Sequence, residues 1–296
     1  MENEISQWVE NSSPDRKVFT QAVHVILHAI AGSEYLRTSM IMKGGMLLGI
    51  RYRSSRFTED IDFSTVEKLT DIDQVAFKNE LKEALMLAAD NLPYQVMCKL
   101  QSLKIQPKDT ATFPTIKLKI GYARKDDIQK MKRLEAGQCP QTIKLDYSFN
   151  EGTYHPEPLV LADDESVIAY GFVDLMAEKL RAVIQQVVRN RQRRQDIYDL
   201  HFLLEHCDTI HDDEKYAILD TLHKKSVGRL APEMLSVDTF QREDIKAASQ
   251  ADYNSLREEI DEPLPEFDRL YQQVTCFYES LPWDAYRAPG EVIDQH

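Results

Sequence analysis

Cysteine is scarce in this 296-residue sequence: Cys98, Cys139, Cys207 and Cys276 lie far apart, with no pair at metal-ligand spacing. That pattern excludes a disulfide framework and a structural zinc site, and it predicts four reduced thiols. Long apolar runs are also missing. None approaches the ~20 residues that span a bilayer, so no membrane segment is expected. The start, Met1-Glu2-Asn3-Glu4, is acidic where a secretory signal is basic and then apolar, which predicts a cytoplasmic chain. There is no internal repeat and no low-complexity tract. Positive charge is in deficit as well. A net charge of −13 excludes a protein coated all over in nucleic-acid-binding surface.

The deficit is uneven. Lys99 to Arg133 holds ten basic and three acidic residues, whereas 21 acids face nine bases from Glu205 onward. The first stretch can meet a phosphate backbone, and the second repels one. The acidic part reads as a solvated surface or as a face for a basic partner.

With 43% hydrophobic residues the chain can bury a large core in two domains. Val18 to Leu36 repeats apolar residues at helical spacing, with His24 and His28 one turn apart. The zincin pattern needs Glu after the first His and has Val25 here, so both histidines are expected to pack or face solvent. Met40 to Met42 is short and apolar, and a helix is predicted to open at Gly44-Gly45. Asp60 to Phe63 alternates as a half-buried strand does. Asp71 to Asn91 reads as an amphipathic helix with Val75, Phe77, Leu81, Leu85 and Leu87 among its apolar positions. Strands are predicted over Tyr94–Ile105, Thr115–Tyr122 and Thr142–Phe149, with a loop or short helix over the sheet edge between Ala123 and Pro140. Pro156 and Pro158 mark a linker. Helices are predicted over Val173–Arg189, Asp196–Glu205, Asp213–Lys225 and Phe267–Glu279. The organisation is α+β over residues 1–160 and mostly helical over 161–296.

Asp60 and Asp62 are two apart, so a strand projects both carboxylates from one face, about 7 Å apart. Hard oxygen ligands at that separation suit one or two Mg²⁺ or Mn²⁺ ions. Asp146 lies in a second strand-like run, Ile143 to Tyr147. If the two strands pair, three carboxylates converge as two-metal phosphoryl transfer requires. Asp-x-Asp alone is a common feature of solvated strands and turns. Gly44-Gly45 upstream can bring backbone N–H groups close to phosphate at a helix N-terminus, or can simply form a tight turn. Lys179 suits a triphosphate, and Arg191, Arg193 and Arg194 suit the phosphates of a second substrate. Asp196 precedes an apolar helical run and is read from position alone as its N-cap.

The segments Lys43-Gly44-Gly45-Met46-Leu47-Leu48, Arg56 to Phe63, Lys144-Leu145-Asp146, Ala177 to Ala182 and Arg194 to Leu200 together resemble the AbiEii/AbiGii-type nucleotidyltransferase toxins, relatives of the DNA polymerase β superfamily. The likeness spans roughly residues 40 to 205 and fades beyond. It implies a polymerase-β-like palm, a mixed sheet with flanking helices, and a helical C-terminal domain that completes the nucleotide site. Asp60, Asp62 and Asp146 would be catalytic metal ligands. Gly44, Gly45, Arg56 and Lys179 would bind nucleotide, Asp196 would be a functional acid beside it, and Arg191, Arg193 and Arg194 would meet the acceptor. Two positions depart from the family pattern: Gly45, where serine is common, and Gln195, where arginine is frequent.

The resemblance implies transfer of NMP from an NTP to an acceptor hydroxyl, with the tRNA 3′ end first and a DNA oligomer second, by a toxin or phage-defence effector. A cognate antitoxin or neighbouring defence protein is the partner it implies. The other readings are template-independent oligonucleotide synthesis for defence signalling, modification of a protein, a hydrolase on the same carboxylates, and a non-catalytic binding module of the same fold.

Overall fold

Strand alternation and helical periodicity sort into two units, Met1–Tyr170 and Gly171–His296. They are seen in a computed structural model that describes residues 4–162, 165–207 and 209–286. The acidic start at residues 1–3 lies outside the described residues. In the first unit α1 (Glu4–Glu10), α2 (Lys17–Gly32) and α3 (Glu34–Ser39) lead into β1 (Ile41–Lys43), α4 (Gly44–Arg51) and β2 (Asp60–Ser64). Then come α5 (Gln74–Asn91), β3 (Val96–Gln106), β4 (Thr115–Arg124), α6 (Ile128–Glu135), β5 (Thr142–Ser148), β6 (Pro156–Ala162) and β7 (Glu165–Tyr170).

The strands form one seven-stranded sheet in the order β3-β4-β5-β2-β1-β7-β6. It is mixed: β2 runs parallel to β5 and β1 parallel to β7, and the other neighbours are antiparallel. One face of β2, β4 and β5 carries Ile61, Phe63, Ile116, Leu118, Ile120, Ile143, Leu145 and Tyr147, all buried. The helices α2 and α5 pack together and against this sheet, with the Phe77 ring stacked on Tyr147 at 5.7 Å. Each such side chain contributes about 1.5–3 kcal/mol by leaving water. The α+β arrangement is therefore as the sequence implied.

Several local expectations change. The helix predicted over Val18–Leu36 breaks at Ser33, whose Oγ accepts the Leu36 N–H at 3.2 Å and caps α3. Val75 and Leu87 are exposed on α5 while Phe77, Leu81 and Leu85 are buried, so its apolar stripe is narrower than its composition. The Pro156/Pro158 segment is a strand, not a linker. As the edge strand β6 it pairs only with β7, with Pro156 opposite Tyr170 and Pro158 opposite Ile168. An edge tolerates prolines because their missing N–H groups face no partner. The sheet thus extends to Tyr170, ten residues past the boundary drawn from the prolines. All four cysteines are free, and burial pushes the Cys98 thiol well above its ordinary pKa.

The second unit comprises α7 (Phe172–Arg189), α8 (Arg194–His206), α9 (Asp212–Ser226), α10 (Glu243–Gln250) and α11 (Phe267–Glu279), with short 3₁₀ turns. Within it α7 packs against α8, α9 and α10, and α11 packs on α8. Asn190, at φ 48°, ends α7 in a left-handed cap. No helix among the described residues is long and apolar enough to cross a membrane.

The two histidines of α2 have ordinary partners. His24 is buried with Nδ1 2.9 Å from Tyr94 Oη, and His28 lies 2.5 Å from Glu165 Oε2. Burial, with the neighbouring His28 as a second cause, lowers the His24 pKa from 6.5 to about 4. The unfolded chain therefore binds a proton that the folded chain refuses. This contribution to stability is fully present above pH 6.5 and is lost as pH falls toward 4, to a total of about 3 kcal/mol. In urea titrations from pH 7 to 5 the wild-type midpoint should fall more steeply than that of His24→Gln. Parallel profiles would show that His24 is not the titrating group.

Candidate active site

The period of a strand and the register of its neighbours decide which side chains meet. Lys43 of β1 is opposite Asp62 of β2, Asp62 is opposite Asp146 of β5, and Asp146 is opposite Lys117 of β4. Cross-strand partners share a face, so these four form one row on the side of the sheet away from Phe63 and Tyr147. The adjacent row on that face holds Asp60, Lys144 and Lys119. Asp62 and Asp146 stand one strand spacing apart, about 4.8 Å between backbones, and Asp60 is about 7 Å along β2. The parallel pairing of β2 with β5 thus puts the three carboxylates singled out from the sequence on one face of the sheet, with only Asp62 and Asp146 directly opposite each other.

Cations on the same face compensate their charge. Lys117 Nζ lies 2.9 Å from Asp146 Oδ2, and Lys144 Nζ lies 3.4 Å from Asp60 Oδ1. Apart from that ion pair, Asp60 Oδ1 accepts no hydrogen bond among the described residues, and the Asp60 side chain is half-exposed. A hard oxygen in that state suits a divalent cation. Among the described residues, no three carboxylate, imidazole or thiol groups close around one point. The aspartates form an open line, not a cage. That donor set fits Mg²⁺, which takes one or two carboxylates and keeps its remaining positions for water and phosphate oxygens.

The glycine pair touches this line. Gly44 opens α4 at φ +82°, and a Cβ there would collide with Asp62 Oδ2. A Cβ on Gly45 would lie 2.7 Å from Nη2 of the buried Arg56. The positive φ and the close approach to Asp62 favour glycine at position 44, whereas at position 45 the neighbour is the movable end of an arginine. Lys43 precedes the pair, and its ammonium donates to Glu151 Oε1 at 2.5 Å. Tyr170 Oη donates to the same oxygen at 3.3 Å and accepts from Ser64 Oγ at 3.1 Å. Glu151 was missed in the sequence because no spacing rule links it to a lysine 108 residues earlier.

In the second unit, Lys179 of α7 is buried. Its Nζ donates to Asp196 Oδ1 at 2.7 Å and to Asp199 Oδ2 at 2.6 Å. Two of its three donors are therefore committed to carboxylates. Asp196 is not an N-cap: Arg193 holds that position, and Asp196 is in the first turn of α8. Asp199 is fully buried and was not singled out. Its signal was an acid three residues after Asp196, inside an apolar run. A second buried pair, Lys225 with Asp174 at 3.1 Å, joins α9 to α7.

The three acceptor arginines differ. Arg194 is bound to Glu259 at 2.8 Å and Asp252 at 3.3 Å, and Arg193 Nη1 lies 3.8 Å from Asp196 Oδ2. Arg191 is exposed. Burial and then repulsion from Arg229, Arg181, Arg191 and Arg193 lower the pKa of Arg189, which marks a concentration of guanidinium groups.

A mixed sheet flanked by helices, with a helix opening on a glycine pair beside paired aspartates, has the form of an α+β nucleotidyltransferase. The family model described as nucleotidyl transferase AbiEii toxin, type IV toxin–antitoxin system, matches residues 26–273, and the chain belongs to that family. Among solved structures it is similar to a candidate nucleotidyltransferase from H. pylori, at 17% identity and a TM-score of 0.48, over 90% of this chain and 95% of that one. It is also similar to JHP933 from Helicobacter pylori, at 19% identity and a TM-score of 0.42, over 83% and 95%. No functionally curated protein matches it in sequence.

The contact between Gly44 and Asp62 gives a direct test. Gly44→Ala places a Cβ at positive φ, which costs about 1–2 kcal/mol, and it must also displace the Asp62 carboxylate. The expected result is a lower urea midpoint together with loss of nucleotide transfer. Gly32→Ala, which meets nothing within 4 Å, should change neither. Full activity in Gly44→Ala would mean that the position of Asp62 is immaterial.

Proposed function

We propose that the chain is a divalent-metal-dependent nucleotidyltransferase that moves NMP from an NTP to the 3′ hydroxyl of an RNA, with the tRNA 3′ end as the acceptor. The observation that carries this reading is the pairing of Asp62 with Asp146 on adjacent parallel strands, with Asp60 two residues along and Gly44 against Asp62.

Asp60, Asp62 and Asp146 would hold Mg²⁺ or Mn²⁺, which supplies Lewis acidity at the phosphoryl oxygens when bound. The acceptor oxygen attacks the α-phosphorus, the α–β phosphoanhydride bond breaks, and pyrophosphate leaves with the bond's electron pair. Asp146 receives the acceptor's hydroxyl proton and returns it to solvent. Lys117 Nζ, 2.9 Å from Asp146 Oδ2, sets a cation beside that carboxylate. The N–H groups at the start of α4 and the Arg56 guanidinium are assigned to the nucleotide phosphates. Lys179 and Asp196 are assigned to the nucleotide by their place in the family motifs. Asp196 and Asp199 hold the Lys179 ammonium in place within the second unit. Membership in a type IV toxin–antitoxin family supports a cognate antitoxin as partner.

The test incubates α-³²P-labelled NTPs with total tRNA, with DNA primers and with no acceptor. Label should appear at the tRNA 3′ end with release of pyrophosphate. Asp62→Asn should lower incorporation by about 10²-fold or more, the scale of losing one electrostatic group at a reacting centre. Labelled oligomers without acceptor would replace this reading with template-independent synthesis, and release of nucleoside monophosphate would replace it with hydrolysis.

A further inference from the structure

The face that carries the aspartates continues across β5, β4 and β3, and its character changes from acidic to basic. Lys144 of β5 is opposite Lys119 of β4, and Lys117 of β4 is opposite Lys104 of β3. All four lysines are exposed. Lys117 and Lys144 lean on Asp146 and Asp60, whereas Lys104 and Lys119 have no carboxylate partner among the described residues. Lysines thus run outward from the aspartates, separated by about 5–7 Å, the strand and pleat spacings of a sheet.

Beyond Lys119, α6 lies over the same face. Leu134 of α6 packs with Ala123 and Cys139, and Met131 and Met97 flank them. Gly121 leaves room for this helix, since a Cβ there would lie 2.9 Å from Leu134 Cδ1. The outward side of α6 exposes Lys132 and Arg133.

Like charges directly opposite one another destabilise a sheet. Here two lysine pairs, Lys104 with Lys117 and Lys119 with Lys144, face each other in a chain whose net charge is −13. A bound polyanion removes that penalty. In a chain of net negative charge, such a basic strip attracts a polyanion that the acidic surface repels.

We infer that the lysine face of β3, β4 and β5 is the track for the phosphate backbone of the acceptor, a single-stranded RNA 3′ end whose terminal hydroxyl lies at Asp60, Asp62 and Asp146. This rests on the nucleotidyl-transfer reading for its destination, though not for its charge. Lys104 and Lys119 supply phosphate contacts and no base selectivity.

Binding of the full chain to a fluorescein-labelled RNA hairpin with a single-stranded 3′ overhang tests the inference across a salt series. Lys104→Ala/Lys119→Ala should weaken binding about tenfold or more at low salt and should flatten the log–log salt slope by about 1.4, at ~0.7 per lost single-strand contact. KM for the RNA acceptor should rise while kcat at saturating RNA holds. The urea midpoint should stay level or rise, because two like-charge pairs are relieved. Unchanged affinity and slope in the double variant would overturn the inference. So would competition by poly-glutamate as strong as that by RNA, since the surface would then serve an acidic protein. Wild-type chain that binds RNA through these lysines but transfers nothing would sink the acceptor reading and leave the surface standing. Transfer with unchanged KM in the variant would do the reverse.

Discussion

The parallel pairing of β2 with β5 is the constraint on which the candidate site depends. It sets Asp62 beside Asp146, two like charges on adjacent strands, an arrangement that opposes sheet formation by a fraction of a kcal/mol to about 1 kcal/mol. On the opposite face of the same strands, Ile61, Phe63, Leu145 and Tyr147 are buried, each contributing about 1.5–3 kcal/mol. Burial therefore outweighs repulsion. It also fixes the register, because a slip of one residue would turn the aspartates into the core and the aromatics into water. Lys117 and Lys144 offset what repulsion remains.

Gly44 makes the same register useful to the helix that follows β1. Its positive φ and absent Cβ let α4 begin against Asp62, so the helix N-terminus and the carboxylates occupy one place. The helical unit solves its electrostatics differently. Lys179 is held between Asp196 and Asp199, and Lys225 by Asp174, with all five residues buried. Removing one partner of such a group typically costs about 3–5 kcal/mol, so each carboxylate fixes the ammonium it holds. A lysine pinned in this way acts as a fixed charge, not as a flexible arm.

Much of this is legible in the sequence where the physics is local. Alternation locates β2, β4 and β5, and a period of two puts Asp60 and Asp62 on one face whatever strand lies beside them. The glycine pair announces the start of α4. Legibility ends where partners are distant in the chain. Nothing in Ile143–Tyr147 says that it lies parallel to β2, and no spacing links Lys43 to Glu151. Asp196 looks like a cap because a cap and a buried ion-pair partner leave the same mark at the start of a helix. Pro156 and Pro158 read as a linker because proline in a strand is legible only once the strand is known to be at an edge. The basic stretch from Lys99 to Arg133 shows its composition but not its geometry. Strand register turns Lys104, Lys117 and Lys119 into one face, which Lys144 extends on β5, and no linear charge count contains that information.

The central claim is that Asp62 and Asp146, brought together by β2 and β5, hold a divalent cation, and Mn²⁺ binding followed by electron paramagnetic resonance tests it most directly. Bound Mn²⁺ should be lost in Asp62→Asn and in Asp146→Asn with the fold intact. It should tighten in Lys117→Met, where the ammonium that competes for Asp146 is gone. Mn²⁺ binding that survives both aspartate substitutions unchanged would contradict the claim.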